Sequence, residues 1–233
     1  NCLAGKGLST HPELVLAVLD SLQAAGIRAE DVLVWDRTDR ELTLAGFRIQ
    51  RDGPGVRTFG TEQDYENEIW EAGSVGSCFS RLLTRTCDVV ISMPVLKDHD
   101  LSGISGGMKN FYGAIHNPNK YHDNGCSPFI AELFSHPAIR RKVVLTIHDA
   151  LRPQLHGGPA HVPQHGWPMG GLILSRDPVA ADATAWRLIE QERKSRGFKP
   201  LEQEQRSPAG WLKRAEELGL GRVGPEGVRE IRG

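Results

Sequence analysis

The sequence lacks any uninterrupted apolar run of about 18 residues, the length that a membrane-crossing helix requires. Its opening, "NCLAGKGLSTHP", has neither the basic nor the apolar stretch of an export signal and reads as if it begins inside a strand or loop. The expectation is a soluble chain without a transmembrane segment and missing an upstream segment. It would be cytoplasmic, or exported after removal of an upstream signal. Excess charge of either sign is also lacking. The 28 basic and 29 acidic residues leave a net charge of −1, so no global field favours nucleic acid or an anionic membrane, and any anion site must be local. Cysteine is scarce and irregularly placed. Cys2, Cys78, Cys87 and Cys126 are 76, 9 and 39 residues apart, which fits no zinc or iron–sulfur ligand run. An integral iron–sulfur cluster is therefore not expected, and the four read as ordinary thiols, with Cys126 the one to watch. Neither GxxxxGK[ST] nor a GxGxxG following a strand occurs, which removes the common nucleotide-binding loops.

The 233 residues present are enough for a single α/β domain spanning 1–233 with a well-buried core. In "STHPELVLAVLDSLQAAGI", Thr10 and Glu13 fit a capping box and Pro12 lies in the first turn. Leu14, Val15, Val18, Leu19 and Leu22 form one apolar stripe, and Gly26 ends the helix. "DVLVWD" at 31–36, "CDVVISMP" at 87–94, "KVVLTIHDA" at 142–150 and "GLILS" at 171–175 are short apolar runs of the kind buried on both faces of a parallel sheet. Helices are expected over 40–45, 77–84, 127–134 and 208–218. Another begins at Pro178, with Asp177 as its N-cap. The fold class is α/β: a mostly parallel sheet flanked by helices in Rossmann-like layers, with a hairpin or irregular excursion around 47–76.

Chemistry concentrates where such sheets bind ligands, beyond the carboxyl ends of the strands. Residues 94–122, 148–171 and 175–182 all fall there. The first segment contains "KDHDLSGISGGMKNFYG". Lys97, Lys109 and Asn110 supply charge and polarity for an anion, and Gly106 and Gly107 would let backbone N–H groups approach it. A generic glycine-rich turn is the plainer reading of the same residues. His99 is a candidate acid/base, with Asp149 and Asp182 as supporting carboxylates, and Arg152 could clamp a carboxylate. His116 and His122 are candidate ligands for a divalent metal, although their spacing matches no metal-binding motif. Trp167 could cover the site as part of a lid.

"MPVLKDHDLSGISGGMKNFYG", "IHDALRPQLHGGP" and "LILSRDPVAADATA" resemble the hallmark blocks of domain of unknown function family 362, and "THPELV" with "VLVWDR" fits its opening. The resemblance covers nearly the whole chain. It implies an α/β domain whose signature is the block of Lys97, His99, Lys109 and Asn110, with no settled activity. Some relatives carry ferredoxin-like iron–sulfur modules. More distantly, "HDLSGISGGMK" is similar to a loop of the nickel-pincer lactate racemase family. That likeness implies His99 as proton-transfer base, Lys109 as cofactor tether, and His116 or His122 as metal ligand.

Three functions are consistent with these readings. The first is a small-molecule enzyme or binding protein for an anionic ligand, a carboxylate or phosphate, with His99 as acid/base. The second is a non-catalytic accessory or partner-binding protein of a redox or metal system, which would present a flat apolar rim around Trp167 and Phe111. The third is a lysine-tethered racemase-like enzyme. A pocket lined by both lysines separates the first from the second, and the substrate and oligomeric state are not encoded legibly.

Overall fold

The computed structural model describes residues 2–224. Helix α1 (Pro12–Ala24) buries Leu14 and Val15 and keeps Val18, Leu19 and Leu22 half-buried, as its stripe requires. Its cap differs from the expected box. His11 is the N-cap, and the Thr10 hydroxyl donates to the Met93 carbonyl at 2.6 Å. The backbone N–H of His11 is taken by the Asp149 carboxylate at 2.8 Å, so a residue 138 positions away does the work expected of a neighbour.

Strand β1 (Leu33–Val34) pairs in parallel with β2 (Arg57–Thr58), forming a small sheet of its own, with α2 (Asp39–Ala45) between them in the chain. Thr38 caps α2 by accepting from Glu41 N, and Gly46 ends it at φ +101°. The excursion around 47–76 contains β2 and most of a hairpin, β3 (Trp70–Ala72) with β4 (Val75–Ser77). The helix expected over 77–84 is displaced. Its first residues finish β4 and form isolated bridges, Tyr65 to Ser80 and Phe79 to Ile115, and a single helical turn follows at Leu82–Thr86. Phe79 and Leu83 are both fully buried in this bridge-then-turn arrangement.

The main sheet has five strands: β5 (Val90–Ser92), β6 (Val95–His99), β7 (Gly103–Ser105), β8 (Val143–Gln154) and β9 (Gly171–Ser175). The long β8 is its axis. β5 and β6 both run parallel to it, registering Ile91 with Leu145 and Val95 with Asp149. β7 returns antiparallel on β6, and β9 lies antiparallel on β8 with His148 opposite Ile173. The α/β class, the parallel centre and the flanking helices match the sequence reading, and the antiparallel edges are added by the structure. The basic stretch beginning at Lys97 is thus largely strand, turn and strand. Its polar residues conceal β6, all five of whose residues are buried.

Helices α3 (Phe129–Ser135), α4 (Pro137–Arg140), α5 (Pro178–Ser195) and α6 (Ala209–Glu217) complete the layers, with α5 packed on the sheet and α6 against α3 and α5. Asp177 caps α5 as expected, accepting from Ala180 N at 2.9 Å. The core runs between these layers through Phe79, Ile104, Met108, Ile115, Ile130 and Trp211. Among the described residues no helix is long and apolar enough to cross a membrane.

Candidate active site

Alternation along β6 sorts its polar residues. Lys97 and His99 share one face, while Asp98 points to the other. The Lys97 face opens into a cavity of about 450 Å³, and a helical turn at Lys109–Ala114 brings Lys109, Asn110 and Tyr112 to its wall. His122, at the end of a short turn over Pro118–Tyr121, closes another side, and Asp36, Arg37 and Glu41 line the rim nearest α2. A larger, mainly apolar cavity of about 540 Å³ lies alongside, between α1 and strands β1 and β5, and shares Asp36, Arg37 and Asn110 with the first. The site-bearing segment from 94 to 122 therefore gathers five expected residues, Lys97, His99, Lys109, Asn110 and His122, in one concavity.

The remaining expected residues lie elsewhere, each for a visible reason. Asp182 is fully buried and does not line the cavity; it accepts from Gly107 N at 2.6 Å, Met108 N at 3.1 Å and His148 Nε2 at 2.9 Å. This corrects the role expected of Gly106 and Gly107. The amides of Gly107 and Met108 do bind an anion, but it is the protein's own carboxylate. A Cβ on Gly106 would lie 2.4 Å from Asp182 Oδ2, and one on Gly107 would lie 2.6 Å from Thr146 Cγ2, so the glycines serve close packing. His148 was missed as part of this anchor. Its Nδ1 is buried without a hydrogen-bond partner among the described residues, which leaves the proton on the Nε2 that serves Asp182.

Asp149 is likewise committed, to His11 N, to His11 Nδ1 at 2.7 Å and to Leu151 N at 3.1 Å. Arg152 is exposed and does not line the cavity. His116 is exposed and packs edge-on to Tyr65, with ring centroids 5.3 Å apart, so it does not join His122 in the cavity. Trp167 packs against the core, and Phe111 is buried within it. Cys126 is buried near Lys109, and burial pushes its thiol above the ordinary range. All four cysteines are free thiols.

Electrostatics make the cavity unusual. Burial lowers Lys97 to about 8, and it likewise lowers Lys109 to about 8. Lys97 Nζ donates to the Leu8 carbonyl at 3.3 Å. Lys109 Nζ lies over the Tyr112 ring, 4.6 Å from its centroid, and 3.2 Å from His122 Nε2. His99 falls to about 2, through burial first and the adjacent Lys109 charge second, so its ring is neutral. Its Nδ1 accepts from Leu101 N at 3.1 Å and Ser102 N at 3.3 Å. Asp100 Oδ1 also lies 3.0 Å from Nδ1, but this exposed carboxylate can turn into solvent whereas the two amides are fixed by the backbone. The proton of His99 therefore resides on Nε2, and the ring is a donor.

The divalent-metal and tethered-cofactor expectations need a set of nitrogen or oxygen ligands. Among the described residues no three His, Cys, Asp or Glu side chains cluster to hold a metal. His122 Nε2 faces Lys109, His99 Nδ1 faces amides and His116 is turned away, so the residues present do not fit that group.

No curated protein and no solved structure matches the chain. A family model described as a domain of unknown function (DUF362) matches residues 4–187, and the chain belongs to that family.

Proposed function

We propose that the chain is a small-molecule enzyme or binding protein whose cavity takes a carboxylate- or phosphate-bearing ligand on Lys97, Lys109 and Asn110. The convergence of these three with His99 in one cavity is the observation that carries the reading. The neighbouring amides of Gly107 and Met108 serve Asp182 and leave the two lysines and Asn110 as the polar donors of the wall. His99, neutral in the fold, serves as a hydrogen-bond donor in place of the acid/base role expected for it, offering Nε2–H to a ligand oxygen. Asp182 and Asp149 act as positioning residues, one holding the turn that carries Lys109, the other holding the start of α1.

Calorimetric titration with inorganic phosphate and with glyoxylate tests this. Lys109→Ala and Lys97→Met are each expected to weaken binding of at least one of the two anions by about tenfold, the effect of losing one charge-assisted contact. Wild-type affinity for both anions in both variants would overturn the assignment.

The accessory-protein reading draws on a different surface. Val144, Leu172 and Leu174 are exposed on β8 and β9, the latter an outer strand of the sheet. If that face binds a redox or metal protein, the wild-type chain is expected to co-sediment with that protein, and Leu172→Lys with Leu174→Lys to abolish the co-sedimentation and leave anion binding intact. An unchanged sedimentation profile would remove this reading.

A further inference from the structure

The two cavity histidines are held in opposite tautomers. His99 accepts through Nδ1 and so donates through Nε2. His122 places Nδ1 3.0 Å from the Pro118 carbonyl, which can only accept, so its proton sits on Nδ1 and its Nε2 lone pair faces Lys109 Nζ at 3.2 Å. His122, too, is lowered by burial first and by Lys109 second. Lys109 thus has a proton acceptor fixed beside it. Its other neighbours are the Tyr112 ring, the buried Cys126 thiol, the Lys97 ammonium, the neutral His99 ring and the more distant Asp100, and among the described residues no carboxylate forms an ion pair with it. Lys97 differs, being held by the Leu8 carbonyl and biased toward its charged form by Asp36.

We propose that Lys109 and His122 form an amine-activating pair that condenses reversibly with the carbonyl carbon of a small 2-oxo acid, with Lys97 and Asn110 holding the carboxylate. This deepens the anion-site reading and rests on it. The ammonium proton of Lys109 passes to His122 Nε2, the nitrogen lone pair adds to the carbonyl carbon, and a second N–H proton moves from that nitrogen to the alkoxide oxygen to give a neutral carbinolamine. His122 then returns the proton to the carbinolamine oxygen, the C–O bond breaks, and water leaves. The products are one protonated imine and one water, with no change of oxidation state and no co-reactant. His99 Nε2–H polarises the carbonyl oxygen during addition.

The test is reductive trapping of the full chain with glyoxylate and cyanoborohydride, read by peptide mass spectrometry. Lys109 is expected to be labelled about tenfold faster than the exposed Lys6, Lys120, Lys194, Lys199 and Lys213, with a rate that rises as pH approaches 8. His122→Ala is expected to slow labelling at Lys109 about tenfold while phosphate still binds. Labelling of Lys109 no faster than that of the exposed lysines overturns the proposal. If phosphate binds through Lys97 and Lys109 in those same samples, only the covalent step is lost. If neither adduct nor anion binding appears, the anion-site reading falls with it.

Discussion

At the scale of the residue, the cavity holds bases in states that water would not favour, and folding stability reflects it. His99 is neutral in the fold, with its pKa depressed to about 2, whereas an unfolded chain protonates it near 6.5. Its contribution is fully present above pH 6.5 and is lost as pH falls below that value, because the unfolded state then binds the extra proton. The loss is on the order of 1 kcal/mol per pH unit. His99→Asn keeps an acceptor for the Leu101 and Ser102 amides and removes the titration. Thermal unfolding from pH 7 to pH 4 is expected to show a steeper decline for the wild type than for the variant, and parallel declines would refute the neutral buried ring. The residue types at this site were legible in "KDHD" and "GGMKN", since charge beside glycine in an α/β loop is a strong signal. Their tautomers were not, because these depend on the Leu101, Ser102 and Pro118 backbone groups that face each ring.

At the scale of the element, one turn carries the site. The chain passes from β7 through Gly106 and Gly107 into the turn that presents Lys109 and Asn110, and Asp182 in the first turns of α5 pins it through two amides. Gly106→Ala would drive a Cβ against the Asp182 carboxylate, at 2.4 Å. We expect it to lower the urea-unfolding free energy by about 2–4 kcal/mol, the cost of forcing a buried carboxylate off its donors, and to weaken phosphate binding by shifting Lys109. Unchanged stability would mean that the turn is not anchored as described. The sequence located both partners, and their helix and loop assignments hold. A buried aspartate on the apolar side of a helix shows that a partner is needed, and a lysine or histidine of the loop is the partner its charge suggests; that backbone amides 75 and 74 residues earlier supply it was not legible.

At the scale of the whole molecule, the C-terminal segment braces the back of the site. Asp98, opposite Lys97 and His99 on β6, is fully buried and accepts from Arg206 Nη1 at 2.6 Å and from Gly158 N at 2.8 Å. Arg206 also holds Glu204 and His156 Nδ1, and Trp211 Nε1 donates to the Ser102 carbonyl at 3.0 Å. Arg206 and Trp211 lie beyond residues 4–187 matched by the family model, so this brace is contributed by chain outside it. Arg206→Met strands a buried carboxylate and is expected to cost about 3–5 kcal/mol in chemical denaturation. A loss below about 1 kcal/mol would show that Asp98 is satisfied without it. The amino-acid sequence by itself determined the helices with an apolar stripe or a local cap, the four strand-forming runs and the segment whose polar residues line the candidate cavity, because those signals act between residues a few positions apart. Only the tertiary structure decided that β9 runs antiparallel, that Asp149 rather than Glu13 serves the start of α1, that His122 and not His116 reaches the cavity, and that the glycine loop binds Asp182. Each of those outcomes is set by groups brought together from distant parts of the chain, where burial and hydrogen-bond satisfaction outweigh local preference.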